Sequence, residues 1–286
     1  MKKILIILIC LLLCGCQNNK SVDLDSINNF SYDEITDLDL NLHSQEYMLV
    51  RLSDFTVLYS KDVDKRIYPA SLTKLMTLDT VLNCCDDLDE VSYVTDEQVK
   101  DLIEQDASLA YIKVNHEYTL RELLYALILP SGADGAVGLE NYFSSKGTSL
   151  VEQMKIQLDR LGCSDTNFVN TTGLHDDNHY TTLNDLLKIV MDVLRFEEGR
   201  TILKSLHYKA NDNTFFSSSL RVIHAENVNV FGGKTGYTPE SGQSVIVLYE
   251  ANNRSYLLML ANAMGSYHDN QYWHYEDAMD LMNYLY

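Results

Sequence analysis

Beyond residue 45, polar breaks divide the chain into short apolar runs, and the spacing inside each run predicts what it builds. Residues 47–52 and 56–60 are apolar and β-prone on either side of Ser53-Asp54-Phe55, and read as a hairpin. A Gly-free apolar run opening at Ser71 predicts a helix to about Asn83, and the acidic stretch 86–90 after it a solvated turn. Residues 91–95 suggest a short strand, and 96–118 a loop with a short helix. Three capping signals then open helices: Thr119 with Glu122, Ser149 with Glu152, and Thr182 with Asp185. The first helix runs to about Leu129, where Pro130 breaks it; the second ends near Gly162; the third covers 183–196. A further helical stretch covers 135–143, and residues 170–180 form a polar loop.

The last third changes period. Residues 207–210, 215–219 and 228–231 are strand-like, with a turn at 211–213, and 244–249 and 255–260 flank Asn252-Asn253 as a second hairpin. Residues 275–286 close the chain as an amphipathic helix, short and acidic, and read as a packed helix of the domain. Strands at both ends with helices between them predict an α+β fold: one antiparallel sheet of N- and C-terminal strands covered by helices, with a helical subdomain.

The first 45 residues follow other rules. Lys2 and Lys3, an apolar core over 4–13 and then Leu13-Cys14-Gly15-Cys16 read as an export signal, residues 1–16, whose end resembles a bacterial lipobox. Cys16 is then the lipid-carrying N-terminus; an uncleaved signal anchor is the alternative. Residues 17–45 are rich in Asn, Asp and Ser and read as a flexible tether, with an ordered edge segment packed on the domain as the alternative for the last few of them, which leaves 46–286 as the folded domain. The formal net charge of -19 excludes nucleic acid as a partner, because phosphate backbones need a cationic surface. Cys84, Cys85 and Cys163 read as free thiols, with no metal-ligand spacing among them.

The candidate chemistry starts at Ser71 and Lys74. Three residues apart on a helix they share a face, so the amine can take the hydroxyl proton, provided that it is neutral. A second cation nearby would favour the neutral amine, and Lys234 supplies a candidate in Gly232-Gly233-Lys234-Thr235-Gly236-Tyr237, where the glycines keep a strand edge bare. Between these lies Ser131-Gly132-Ala133, just after the Pro130 break.

S-x-x-K, then S-x-x at the place of S-x-N, then K-T-G, in this order, resemble the penicillin-recognising serine acyl-transferases. More narrowly, the chain resembles the serine-type D-alanyl-D-alanine carboxypeptidases among the low-molecular-mass penicillin-binding proteins, in a lipoprotein form. Asn170-Thr171-Thr172-Gly173-Leu174 and His179-Tyr180-Thr181-Thr182 match as well. The resemblance implies a β-lactamase/penicillin-binding transpeptidase-like fold, hydrolysis of the terminal D-Ala-D-Ala bond of cell-wall stem peptides through a Ser71 acyl-enzyme, and no metal or cofactor. It implies Lys74 as base, Ser131 as proton relay to the leaving amine, and Lys234 and Thr235 on the substrate carboxylate. The N–H groups of Ser71 and Tyr237, beside Gly236, would hold the oxyanion. It also implies β-lactam antibiotics as inhibitors and a place outside the cytoplasm, anchored to the bacterial membrane by the lipid. One position departs: Ala133 stands where the family has Asn, and Asp134 points about 100° away on a helix and cannot substitute. The alternatives are a β-lactamase-like hydrolase, which lacks support from an E-x-x-x-N run because Tyr180 precedes Asn184, and a weakly active or non-catalytic penicillin-binding sensor lipoprotein. His175, Asp176 and His179 raise a metal site, but caps and cleft walls are the simpler use of that loop.

Overall fold

The computed structural model describes residues 31–32, 40–227, 229–265 and 271–284. The expected export signal and Cys16 lie outside these residues. Strands β1 (Ser31–Tyr32), β2 (Glu46–Arg51) and β3 (Thr56–Lys61) open the domain, followed by a 3-10 turn, Ala70–Leu72, that runs into α1 (Thr73–Cys84). Next come β4 (Val91–Ser92), α2 (Asp96–Glu104), β5 (Tyr118–Thr119), α3 (Leu120–Ile128), α4 (Ala133–Ser145), α5 (Leu150–Leu161), α6 (Leu183–Val193) and α7 (Glu197–Lys204). The chain ends through β6 (His207–Lys209), β7 (Phe215–Ser217), α8 (Arg221–Glu226), β8 (Val230–Thr238), β9 (Gly242–Ala251), β10 (Arg254–Ala263) and α9 (Trp273–Tyr284).

The main sheet runs β1-β3-β2-β10-β9-β8, so strands from the two chain ends meet at the β2–β10 pair. Its pairs are antiparallel except β1 with β3. Both faces of the central strands are covered. Ile246, Leu248, Leu257 and Met259 face the main helical layer, and Val245, Val247, Tyr249 and Leu258 face the side packed by α9. That is why β9 and β10 read as unbroken apolar runs in place of an alternation.

Local capping signals placed several helix starts. The Thr119 box is reciprocal: the Glu122 N–H donates to Thr119 Oγ1 at 3.1 Å and the Thr119 N–H to Glu122 Oε2 at 2.8 Å. Ser149 and Thr182 each accept the N–H three residues on. A further box, Thr95 with Gln98, opens α2. Several boundaries differ from expectation. Ser71 sits in the 3-10 turn ahead of α1, and α4 begins at Ala133, so Ala133 and Asp134 lie in its first turn. The helix expected over 183–196 ends at Val193, and α7 and α8 were not anticipated: their short runs are anchored by long-range packing of Ile202, Leu203 and Ile223. At the end of the stretch read as a tether, the alternative of a packed edge segment is the one found. The N–H groups of His43 and Ser44 donate to the buried Asp277 at 2.9 and 2.6 Å, and Leu40 and Leu42 pack on the α9 side of the sheet. Ser31 and Tyr32 also pair with Thr56 and Val57.

Helix α1 runs through the middle of the helical layer, with Thr73 to Leu82 all buried. Its polar side chains therefore need partners inside the protein. Thr77 donates to Thr171 O at 2.8 Å and Thr80 to Met76 O at 2.7 Å. Asp79 finds no N–H or O–H donor, and Arg160 stays 3.7 Å away. Burial, then the charge of Asp192, push its carboxyl well above the usual range, so Asp79 keeps its proton and donates to Asp192. Burial would raise Asp192 too, but hydrogen bonds from Arg160, Asp79 and Arg195 hold it below the ordinary value. Among the described cysteines, Cys84 is exposed, Cys85 half-buried and Cys163 buried, all three free.

Candidate active site

The site forms where the start of α1 meets the edge strand β8. Ala70 has a left-handed backbone, φ 47°, which turns Ser71 out at the head of the helix. One helical turn later Lys74 points back, its Nζ donating to Ser71 Oγ at 2.9 Å and to Thr172 O at 2.6 Å. Lys74 is 2% exposed. Burial lowers its pKa to about 7, with the Asp134 charge acting weakly the other way. An amine that is about half neutral at pH 7 can accept the Ser71 proton.

The second half comes from β8 and the turn before α4. Ser131, also left-handed at φ 62°, accepts a hydrogen bond from Lys234 Nζ at 2.9 Å, and the same ammonium donates to Thr235 O at 2.7 Å. Burial depresses Lys234 well below the lysine range, and the Lys74 charge adds to it. The expected help from a second cation is not what lowers Lys74: burial does so, and the charge effect runs the other way, from Lys74 onto Lys234. Gly236 lets β8 approach the 3-10 turn: a Cβ there would lie 3.0 Å from Pro69 O and 3.3 Å from Leu72 N. A cleft of about 400 Å3 opens between these elements, with Ser71, Lys74, Ala133, Thr172 and Tyr237 in its walls. Ser131, Lys234 and Thr235 are buried behind that surface.

A family model described as D-alanyl-D-alanine carboxypeptidase matches residues 33–264. The chain belongs to this family. It is 27% identical over 201 residues to the D-alanyl-D-alanine carboxypeptidase DacF of Bacillus subtilis, covering 68% of this chain and 51% of that one. The DacA carboxypeptidase of Haemophilus influenzae is 26% identical over 242 residues, 78% of this chain and 58% of its own. The chain therefore spans little more than half the length of these two relatives. The crystal structure of the Streptomyces K15 DD-transpeptidase superposes with a TM-score of 0.76 at 23% identity, over 87% of this chain and 98% of that one. A D-alanyl-D-alanine carboxypeptidase from Mycobacterium tuberculosis gives 0.74 at 18%, over 89% and 95%. The α+β penicillin-binding fold expected from the motifs is the fold found.

In this D-alanyl-D-alanine carboxypeptidase family member, Asp134 turns away from the cleft and serves its wall. The Asp134 carboxylate accepts the N–H groups of Ala110 at 2.8 Å and Ile112 at 3.1 Å, and Ala133 N–H donates to Ser108 O at 2.7 Å. Asp134 thus pins the 108–112 loop to the wall of the cleft, and Ala133 leaves a methyl group facing the site.

Sequence reasoning missed three supports. The Thr172 carbonyl on Lys74 is presented by a turn in which Asn170 Oδ1 accepts the N–H groups of Thr172 and Gly173, at 3.2 and 2.7 Å. Ser219 Oγ lies 2.8 Å from Thr235 Oγ1. Finally, His179 is buried with both ring nitrogens engaged. The Val169 N–H donates to Nδ1 at 3.1 Å, which leaves the ring proton on Nε2, 2.7 Å from Thr73 Oγ1. Thr73 donates in turn to Ala70 O at 2.8 Å. Burial lowers His179 to about 4, so it stays neutral in this chain of bonds. His179 and Thr73 are 106 residues apart, and no local pattern links them. Among the described residues, no group of three or more His, Cys, Asp or Glu is arranged to hold a metal.

Proposed function

We propose that the protein is a serine-type D-Ala-D-Ala carboxypeptidase that trims peptidoglycan stem peptides. The observation that carries this reading is the 2.9 Å contact from Lys74 Nζ to Ser71 Oγ in a buried setting that brings the amine to about 7. Neutral Lys74 takes the Ser71 proton as Oγ attacks the carbonyl of the penultimate D-alanine. The N–H groups of Ser71 and Tyr237 receive the oxyanion where β8 meets the 3-10 turn. Lys234 and Thr235 bind the terminal carboxylate, and Ser131, bonded to Lys234, passes a proton to the departing D-alanine amine. Water then releases the shortened peptide from Ser71. β-Lactams acylate the same hydroxyl. The export signal and Cys16 support a lipid-anchored place at the outer face of the membrane; among the described residues no helix is long and apolar enough to cross one.

The test is release of D-alanine from a pentapeptide ending in D-Ala-D-Ala, with Ser71→Ala as control and Ala133→Asn as repair. Ser71-dependent release is expected, and Ala133→Asn raises it about tenfold, the value of one regained polar contact of about 1.4 kcal/mol. Absence of release from both the wild type and the repaired variant refutes the assignment.

A further inference from the structure

The catalytic cleft continues past Tyr237. Thr238, Pro239 and Glu240 extend its wall, and Glu240 is shared with a second cavity of about 420 Å3 bounded also by Arg66, Tyr68, Asp177, Tyr180 and Asn262. The Tyr68 ring meets His175, a wall residue of the catalytic cleft, edge-on at 4.7 Å between centroids. The two spaces therefore adjoin along one partition.

Strand direction decides what reaches the second space. Among the described strands, β8 is the edge of the sheet and is hydrogen-bonded to β9 alone. A substrate with its carboxylate at Lys234 and Thr235 and its scissile carbonyl at Tyr237 runs antiparallel to β8. Its earlier residues then pass toward Thr238 and beyond, at about 3.3 Å per residue. The third residue from the C-terminus comes level with Thr238 and the fourth with Pro239. Strand pairing cannot continue there, because Pro239 has no N–H and Thr238 N–H is already given to Ser241 Oγ at 2.8 Å. The turn is closed from the other side as well, with Ser241 N–H on Thr238 Oγ1 at 3.1 Å. A longer peptide must leave the strand edge at this point, and the adjoining opening is the second cavity.

Resting on the carboxypeptidase reading, we infer that this cavity is the subsite for the arm of the peptide substrate from the fourth residue before the C-terminus onward. Its walls suit a polar peptide in preference to an apolar acyl cap. The Arg66 guanidinium lies over the Tyr180 ring at 4.4 Å, and the carboxylates of Asp177 and Glu240 and the Asn262 amide complete the rim. Arg66 also meets Asp165 at 3.3 Å, an exposed pair on which the fold does not depend.

The test compares two peptides with the same D-Ala-D-Ala end, a capped tripeptide and a pentapeptide. The wild type is expected to turn over the pentapeptide with a kcat/KM about tenfold higher, equivalent to about 1.4 kcal/mol. The double variant Arg66→Ala/Asp177→Ala is expected to lose that gain and keep the tripeptide rate. A pentapeptide carrying a photoreactive group on its first residue, bound to Ser71→Ala protein, is expected to cross-link to 66–68, 177–180 or 240–241. Equal turnover of the two peptides with Ser71 dependence intact, or cross-links confined to 105–108 on the opposite rim, overturns the inference alone. Absence of Ser71-dependent release from either peptide overturns the reading beneath it.

Discussion

The sharpest consequence of the site concerns the proton on Lys74. An exposed lysine with its ordinary pKa of 10.5 is neutral about once in 3,000 at pH 7, whereas at about 7 it is neutral half the time. Burial thus raises the reactive fraction about a thousandfold, worth roughly 4–5 kcal/mol. The assay is the rate of Ser71 acylation by a fluorescent penicillin at subsaturating concentration, from pH 5 to pH 9. The rate should climb about tenfold per pH step below 7 and level off above it. A stability signature accompanies it. The folded state holds the Lys74 proton less tightly than the unfolded state, so the cost is full below pH 7 and fades as pH rises toward 10.5. Lys74→Met should therefore abolish acylation while raising the melting temperature, more at pH 6 than at pH 9. A midpoint above pH 9 refutes the argument, as does a Lys74→Met variant less stable than the wild type at pH 6.

Two further substitutions probe the supports. Gly173 has φ 81°, and a Cβ there would sit 1.8 Å from Ala70 O, so Gly173→Ala must displace the turn that carries Ser71. Penicillin labelling should fall at least a hundredfold, with a stability loss of about 2–4 kcal/mol, and labelling at the wild-type rate contradicts it. Asp79→Asn keeps the shape of a protonated carboxyl and its donor to Asp192 without a group to ionise. Because the raised Asp79 pKa makes the folded state bind the extra proton, wild-type stability falls as pH rises above the ordinary aspartate value of 3.8. The variant should gain about 1 kcal/mol at pH 7, some 2–4 °C, and little at pH 4; a loss at pH 7 would show that Asp79 is charged in the fold.

How much could be read beforehand depended on the range of the forces involved. Helix starts at Thr119, Ser149 and Thr182 were legible because a cap bonds to an N–H three residues away. The β9–β10 hairpin was legible from Asn252-Asn253, whose left-handed φ values of 50° and 60° suit Asn. Helices α7 and α8 were not, because their apolar residues are held by partners far along the chain. The last residues of the tether stayed open between solvent and a packed edge for the same reason: Asp277, which ties them down, is more than 230 residues on.

For the site, the residues alone were enough to propose which groups carry the chemistry. Ser71 and Lys74 at helical spacing, Ser131 after a proline break, and Lys234 among glycines are patterns whose chemistry is local. Only the tertiary structure decided whether Lys74 can act as a base, because its pKa is set by desolvation among packed neighbours. The fold also sent Asp134 to the 108–112 loop, placed His179 behind Thr73, and set a second cavity past the Pro239 turn. Each of these brings together residues distant in sequence, and burial and hydrogen-bond geometry exist only once the chain is folded.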